Sequence, residues 1–271
     1  MYGDTEIIAQ YELHLRASGR THATIEQRKQ WIRRLSREMQ TPLLEHTATT
    51  LTNWLAHPSW GKSTRRSARA SLLSFYQWAT RNNLIEEDPS QFLETIREPP
   101  PCPRPVPEDV FGRALANAGP REHLAILLAG CCGLRASEVV SVHIDDIGSD
   151  MYGDVLAVHG KGERLRLIPV GSEVTNALAV AFRESPYGWA FPNMNDMTKH
   201  VQGAAISRNC RPYLEGHTFH ALRHRYASRV YETSGDLLST QQLLGHASPV
   251  TTQRYVAVDR VRLRNAARGA A

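Results

Sequence analysis

The chain has 271 residues, of which 41% are hydrophobic, enough to bury ordinary cores in one or two domains. Its 32 Lys and Arg against 27 Asp and Glu leave a net charge of +5, which favours a polyanionic partner without proving one. The opening MYGDTEIIAQ carries acids and no apolar run, so neither a signal peptide nor a membrane span is expected. Cys102, Cys131, Cys132 and Cys210 lack the spacing of a zinc site and the adjacent pair cannot easily bridge, which suits a reducing cytosol.

In chain order, residues 4 to 95 read as helical throughout. Ile7, Ile8, Tyr11 and Leu15 mark a first amphipathic helix ending near Gly19. A second runs from about Thr24 to Met39 with Ile25, Trp31, Ile32 and Leu35 inward, and a short third from roughly Thr47 to Ala56. A fourth, capped by Ser63, carries Leu72, Leu73, Phe75, Tyr76 and Trp78 and stops near Asn82 and Asn83. No acidic residue lies between Glu45 and Glu86, whereas Lys62, Arg65, Arg66, Arg69 and Arg81 all do. Such a run is a solvated helix face or a face that meets phosphates. The proline-rich stretch REPPPCPRPVP cannot continue a helix. The expected division is therefore a helical domain at 1–96, a semi-rigid linker at 97–107 and a second domain at 108–271.

The second domain opens with a helix from Glu108 to about Ala118, followed by HLAILLAGCCG, apolar enough for full burial. Gly133-Leu134-Arg135-Ala136-Ser137-Glu138 reads as a turn entering a helix. The pattern then changes to period two: Val155, Leu156 and Val158 lead into His159-Gly160-Lys161-Gly162, and Leu165, Leu167 and Ile168 lead out, as strands around a glycine-flanked turn. Helices are expected over 172–184 and about 197–211, with the loop SPYGWAFPN between them. Lys199, Arg208 and Arg211 on the latter are phosphate contacts or plain surface charges. Thr218 can cap a helix whose stripe Phe219, Leu222, Tyr226 and Val230 faces the core, with His220 and Arg223 sharing the neighbouring face. Asp236 can cap a second helix, which Gly245 stops in a left-handed turn that presents His246. Ser248 and Pro249 start a third, with Tyr255 one to two turns in.

These residues resemble the signature of the tyrosine recombinase family, the phage integrases and Xer-like proteins. His220-Ala221-Leu222-Arg223 matches its H-x-x-R, Leu244-Gly245-His246 its L-G-H, and Tyr255 the tyrosine nine residues on; Gly133 to Glu138 matches its G-L-R-x-x-E box. The glycine-flanked Lys161 stands where the family's β-hairpin carries its lysine. The resemblance runs from about residue 5 to 258. It implies a mainly α fold with a small antiparallel β-sheet, in which a four-helix, SAM-like core-binding domain and a catalytic domain form a C-shaped clamp on DNA. It also implies catalytic roles for Arg135, Lys161, His220, Arg223 and His246, with Tyr255 the nucleophile. Glu138 would hold a neighbouring basic side chain in place. Lys62, Arg65, Arg66, Arg69, Arg81, Lys199, Arg208 and Arg211 would contact the DNA backbone.

That residue set suits the chemistry. A phenol with a pKa of about 10 is protonated at neutral pH and needs help to attack a phosphodiester that already bears negative charge. Two guanidiniums can grip the non-bridging oxygens bidentately as charge grows on them, His246 can add a hydrogen bond, and His220 can take the phenol proton or steady the phosphate. Lys161 can protonate the leaving 5′-hydroxyl. The 3′-phosphotyrosine bond that results conserves the energy of the phosphodiester, so a second strand can reverse the step through a Holliday junction. Neither metal nor cofactor is required, and no P-loop, zinc ligand set or magnesium-binding carboxylate cluster is evident. The resemblance implies a homotetramer on two duplexes, acting on double-stranded DNA attachment sites in the bacterial cytoplasm, with a possible directionality factor and no membrane partner. The chain starts directly with the core-binding module, so an arm-binding domain is expected to be missing. An integrase of a phage or mobile element is the leading expectation. An Xer-like resolvase of chromosome or plasmid dimers, a type IB topoisomerase and a non-catalytic DNA-binding regulator are the alternatives.

Overall fold

A computed structural model describes residues 3–97, 104–160 and 165–245, and the chain divides into two units, residues 1–100 and 101–271. The first holds four α-helices: α1 (Asp4–Ala17), α2 (His22–Met39), α3 (Ala48–Leu55) and α4 (Lys62–Arg81). Side-chain caps set two of the starts. Thr21 accepts the Thr24 N–H at the head of α2, and Thr47 and Thr50 cap each other's backbone at the head of α3. The expected cap at Ser63 lies inside α4, where Gly61 holds the N-cap position. Ile7, Tyr11, Leu15, Ile32, Leu35, Leu72, Phe75 and Tyr76 form the core. The two buried phenols are satisfied, Tyr11 donating to Ser74 at 2.8 Å and Tyr76 to the Leu43 carbonyl at 2.9 Å. Trp31, expected inward, is only partly buried and stands edge-on to Trp54 and Trp60 at the rim.

The second unit is built on α6 (Pro120–Cys131), whose Leu124 to Gly130 are all buried. Around it lie α5 (Glu108–Asn117), α7 (Ala136–Val140), α8 (Ser172–Arg183), α9 (Gly203–Cys210), α10 (Phe219–Ser234) and α11 (Leu237–Leu244). Strands β1 (Ile147–Asp150), β2 (Gly153–His159) and β3 (Leu165–Pro169) form an antiparallel sheet in that order, with Leu156 opposite both Ile147 and Ile168. The end of the proline-rich stretch belongs to this unit: Val106 is buried in its core and its N–H reaches the Ala221 carbonyl at 3.2 Å.

Three expectations are corrected here. Residues 197–211 are not one helix, because β5 (Asp196–His200) pairs with β4 (Pro192–Asn193) and puts Lys199 in a strand. Local side-chain bonds turn the chain there: Asn193 accepts the Asn195 N–H, and Asp196 accepts the N–H and hydroxyl of Thr198. α9 starts only at Gly203, where an added Cβ would come within 2.9 Å of the Ala136–Ser137 backbone. Thr218 sits at the N-cap of α10 but makes no side-chain cap bond. The buried face of that helix runs through Ala221, Leu222, Arg223 and Ala227, with Tyr226 and Val230 only half-buried. β1, which carries no clear alternation in IGSD, was not anticipated at all.

Candidate active site

The site begins with a left-handed turn. Gly133 has φ +69°, and an added Cβ there would lie 2.3 Å from the ring of Tyr226, so both the backbone and the packing require glycine. The turn delivers Arg135 to the N-cap of α7. One helical turn on, Glu138 accepts the Arg135 backbone N–H at 2.9 Å and its guanidinium at 2.6 Å. Glu138 is 5% exposed, so its charge must be balanced locally.

Three guanidiniums supply that balance. Besides Arg135, the Glu138 carboxylate receives Arg166 of β3 at 2.7 and 3.2 Å, and Arg223 of α10 lies 3.6 Å away. Burial alone would raise the Glu138 pKa. The hydrogen bonds from Arg166 and the Arg135 backbone, with the charge of both guanidiniums, overcome it and bring the pKa down to about 2. Among the described residues, one carboxylate thus faces three guanidiniums, and positive charge predominates around it.

The same arginines grip the end of α11. Arg166 donates through Nε to the Leu243 carbonyl at 3.0 Å, and Arg223 donates to the carbonyls of Leu244 and Gly133. The Leu243 and Leu244 carbonyls are among those at the end of α11 that have no intrahelical partner, at the negative end of the helix dipole. Gly245 ends α11 at φ +61°, and an added Cβ would stand 3.1 Å from the Arg166 side chain. Asp236 caps the other end by accepting the Leu238 N–H. The guanidiniums differ in access, the Arg135 side chain being 38% exposed, Arg166 10% and Arg223 1%.

His220 lies on the exposed side of α10 with its ring 4.6 Å from that of His224, edge to face. Desolvation, then the positive charge of Arg223 and Arg135, holds its pKa below the ordinary imidazole value, so it is neutral at physiological pH. Tyr226, though near enough to feel Arg166 and Arg223, is pushed up to about 12 by burial, which suits a packing residue over Gly133 better than a nucleophile.

Arg135, Glu138 and Arg223 are thus brought together, with His220 within reach of the arginines' charge. Lys161, His246 and Tyr255 lie outside the described residues. Arg166 was missed by sequence reasoning. The signal was present: Leu165 and Leu167 share the exposed face of β3, which places Arg166 on the other face with buried Ile168 and opposite buried Val158. A cation on a buried face implies a carboxylate partner.

The backbone-contact candidates fare unevenly. Lys62 and Arg81 are exposed at the two ends of α4, and Arg66 is exposed on the same helix. Arg69 instead turns inward and donates through Nε and a terminal nitrogen to the Leu93 carbonyl at 3.1 and 2.7 Å, and Arg65 donates to the His57 carbonyl at 3.1 Å. Lys199 is exposed and paired with Asp196 at 2.7 Å, and Arg208 and Arg211 are exposed. Among the described residues, no group of three or more His, Cys, Asp or Glu is placed to hold a metal ion, and no helix is long and apolar enough to cross a membrane.

Comparison with known proteins agrees with the signature. The phage integrase family model matches residues 108–262. Tyrosine recombinase XerC of Chromobacterium violaceum is 30% identical over 94% of this chain and 90% of its own, and XerD of Pseudomonas aeruginosa is 30% identical over 78% of each. The chain belongs to the phage integrase family of tyrosine recombinases, enzymes that cleave and rejoin DNA. Among solved structures, lambda integrase residues 75–356 bound to a core site aligns at TM-score 0.73 with 18% identity, covering 91% of this chain and 96% of that one. XerH bound to difH aligns at TM-score 0.68 with 18% identity over 90% and 78%. Both share its mainly α fold.

Proposed function

We propose that this recombinase is site-specific and cuts DNA by attack of Tyr255 on a phosphodiester, forming a 3′-phosphotyrosine bond that a second strand resolves through a Holliday junction. The observation that carries the reading is the convergence of three guanidiniums on Glu138, which makes positive charge predominate there among the described residues. Arg135, the most exposed of its three guanidiniums, and Arg223 behind it suit the growing charge on a phosphate undergoing displacement. Neutral His220 suits acceptance of the phenol proton or a hydrogen bond to the phosphate. The sequence signature, rather than geometry, supports Lys161 as general acid, His246 as oxygen-binding donor and Tyr255 as nucleophile.

In this reading the helical unit at 1–96 binds the core site and the stretch at 97–107 links it to the catalytic unit at 108–271. The enzyme works as a homotetramer on two double-stranded attachment sites in the bacterial cytoplasm and needs no cofactor. Between the two biological roles, relatives named XerC and XerD that align over most of their length favour an Xer-like resolvase of chromosome or plasmid dimers. The integrase reading, drawn from composition, spacing and the short tail, adds a directionality factor.

Covalent capture tests the chemistry. A nicked duplex selected by the wild-type protein from randomised DNA is incubated with wild type and Tyr255→Phe in EDTA and resolved on a denaturing gel. A covalent band with wild type alone is the expected result; a band that persists in Tyr255→Phe removes Tyr255 as the nucleophile. Supplying two copies of the site on one plasmid or on two then separates resolution from integration.

A further inference from the structure

Arg166 makes three attachments with one guanidinium. It binds both oxygens of Glu138, the carboxylate that also orients Arg135 and faces Arg223. Its Nε holds the Leu243 carbonyl in the last turn of α11, three residues before His246. Its own backbone is the second residue of β3, the strand that follows Lys161 in the sequence. The contact is fitted on every side. Gly245 leaves room for the Arg166 side chain, the β2 partner Val158 is buried opposite it, and only 10% of the Arg166 side chain is exposed. Lysine could keep the charge but not this pattern, because an ammonium is a single point charge whereas the guanidinium fork presents donors in three directions.

Resting on the recombinase reading above, we infer that Arg166 is a positioning residue of the strand-transfer site: it sets Glu138, and through it Arg135, in register with the end of α11 and with β3. It acts through these groups and does not itself hold the DNA phosphate. Its side chain is spent on a carboxylate and a carbonyl, while Arg135 beside it keeps the larger exposure. Misplacement of catalytic groups by about an ångström typically costs on the order of a hundredfold in rate, so the loss should appear in the chemical step.

The test is single-turnover covalent capture on the selected nicked duplex for wild type, Arg166→Lys and Arg166→Met, over a range of DNA concentrations, with thermal unfolding in parallel. The expected result is that Arg166→Lys stays folded and half-saturates at wild-type DNA concentration, yet its cleavage rate at saturation falls about a hundredfold. A folded Arg166→Lys that cleaves at the wild-type rate makes Arg166 merely structural and overturns the inference. So does one whose defect is entirely a raised half-saturating concentration, which makes Arg166 a direct DNA contact. Should Arg166→Met unfold, Arg166→Lys carries the result alone. A wild-type band with an unimpaired Arg166→Lys removes this inference only, whereas no wild-type band on DNA that the protein binds removes the recombinase reading with it.

Discussion

Each unit holds an ionic cluster around one buried charge, and the two are balanced differently. In the helical unit the Lys29 side chain, 7% exposed, sits between Glu12 at 2.5 Å and Glu26 at 2.8 Å, and Arg16 pairs with the same Glu12 at 2.7 Å, so two cations face two carboxylates and the cluster is balanced. In the second unit Glu138, 5% exposed, sits among Arg135, Arg166 and Arg223, so among the described residues one carboxylate faces three cations. Lys29 is held by side chains of its own and the adjoining helix and serves the fold. The Glu138 cluster joins α7, β3, α10 and the end of α11, elements far apart in sequence, and keeps a partly exposed guanidinium at its edge. Burial of an ion pair does not mark a site. Several cations brought from distant elements onto one carboxylate do, since together they favour an anion beside them.

Glu138→Gln should separate the clusters most sharply. It removes the buried carboxylate that the three guanidiniums share, so the second unit should lose roughly 3–5 kcal/mol in denaturant unfolding. The cleavage rate of what stays folded should fall on the order of a hundredfold. Lys29→Met, by contrast, should lower the melting temperature and leave the cleavage rate at saturating DNA unchanged. A loss of rate in that variant would make the first cluster part of the machinery as well.

Acid unfolding gives the next largest effect. Glu138 binds its proton near pH 2 in the folded chain against an ordinary value of 4.5, so the unfolded chain takes up that proton first as pH falls. The stability it contributes is complete above pH 4.5 and is lost on descent through pH 2. By linkage this amounts to about 3 kcal/mol, measurable as a steep acid limb in denaturation midpoints that flattens in Glu138→Gln. The His220 pKa is lowered as well, but there the shift favours the neutral form rather than the charged one. Its folded pKa lies below 6.5, so the acid limb of the cleavage rate should also lie below pH 6.5, and a limb above it would mean that the imidazole is held protonated.

The smallest effect divides the basic residues of α4. Lys62→Ala should reduce the slope of log binding constant against log salt by about one while leaving stability alone. Arg69→Ala should weaken the helical unit, because the Leu93 carbonyl loses both of its bonds, and should leave the salt slope unchanged. An equal salt-slope change in both would restore Arg69 to the DNA-binding set.

Much of this was readable beforehand for local reasons. Apolar spacing located α1 to α4, α5, α6, α8 and α10, the Asp236 cap and the Gly245 stop bounded α11, and the G-L-R-x-x-E box gave Arg135 and its carboxylate because they lie one helical turn apart. What escaped is non-local or set by single residues. β5 was taken for helix because five residues carry too little periodicity against the helix that follows, and the side-chain turns at Asn193 and Asp196 decide it. Arg166 escaped because its meaning depends on which face of β3 is buried and on Glu138, 28 residues earlier in the chain. Arg69 and Lys62 look alike in sequence, and only the position of the Leu93 carbonyl tells them apart.

The central claim is that the positive charge around Glu138 exists to receive a phosphate. The most direct measurement is cleavage by Arg135→Ala of two nicked duplexes, one with the ordinary scissile phosphate and one with a neutral methylphosphonate in its place. If the guanidinium serves to neutralise charge on the non-bridging oxygens, Arg135→Ala should cut the phosphate duplex at least about a hundredfold more slowly than wild type. On the methylphosphonate it should come close to the wild-type rate. An equal defect on both duplexes would contradict the account, because Arg135 would then hold the site in shape without answering the charge of the DNA.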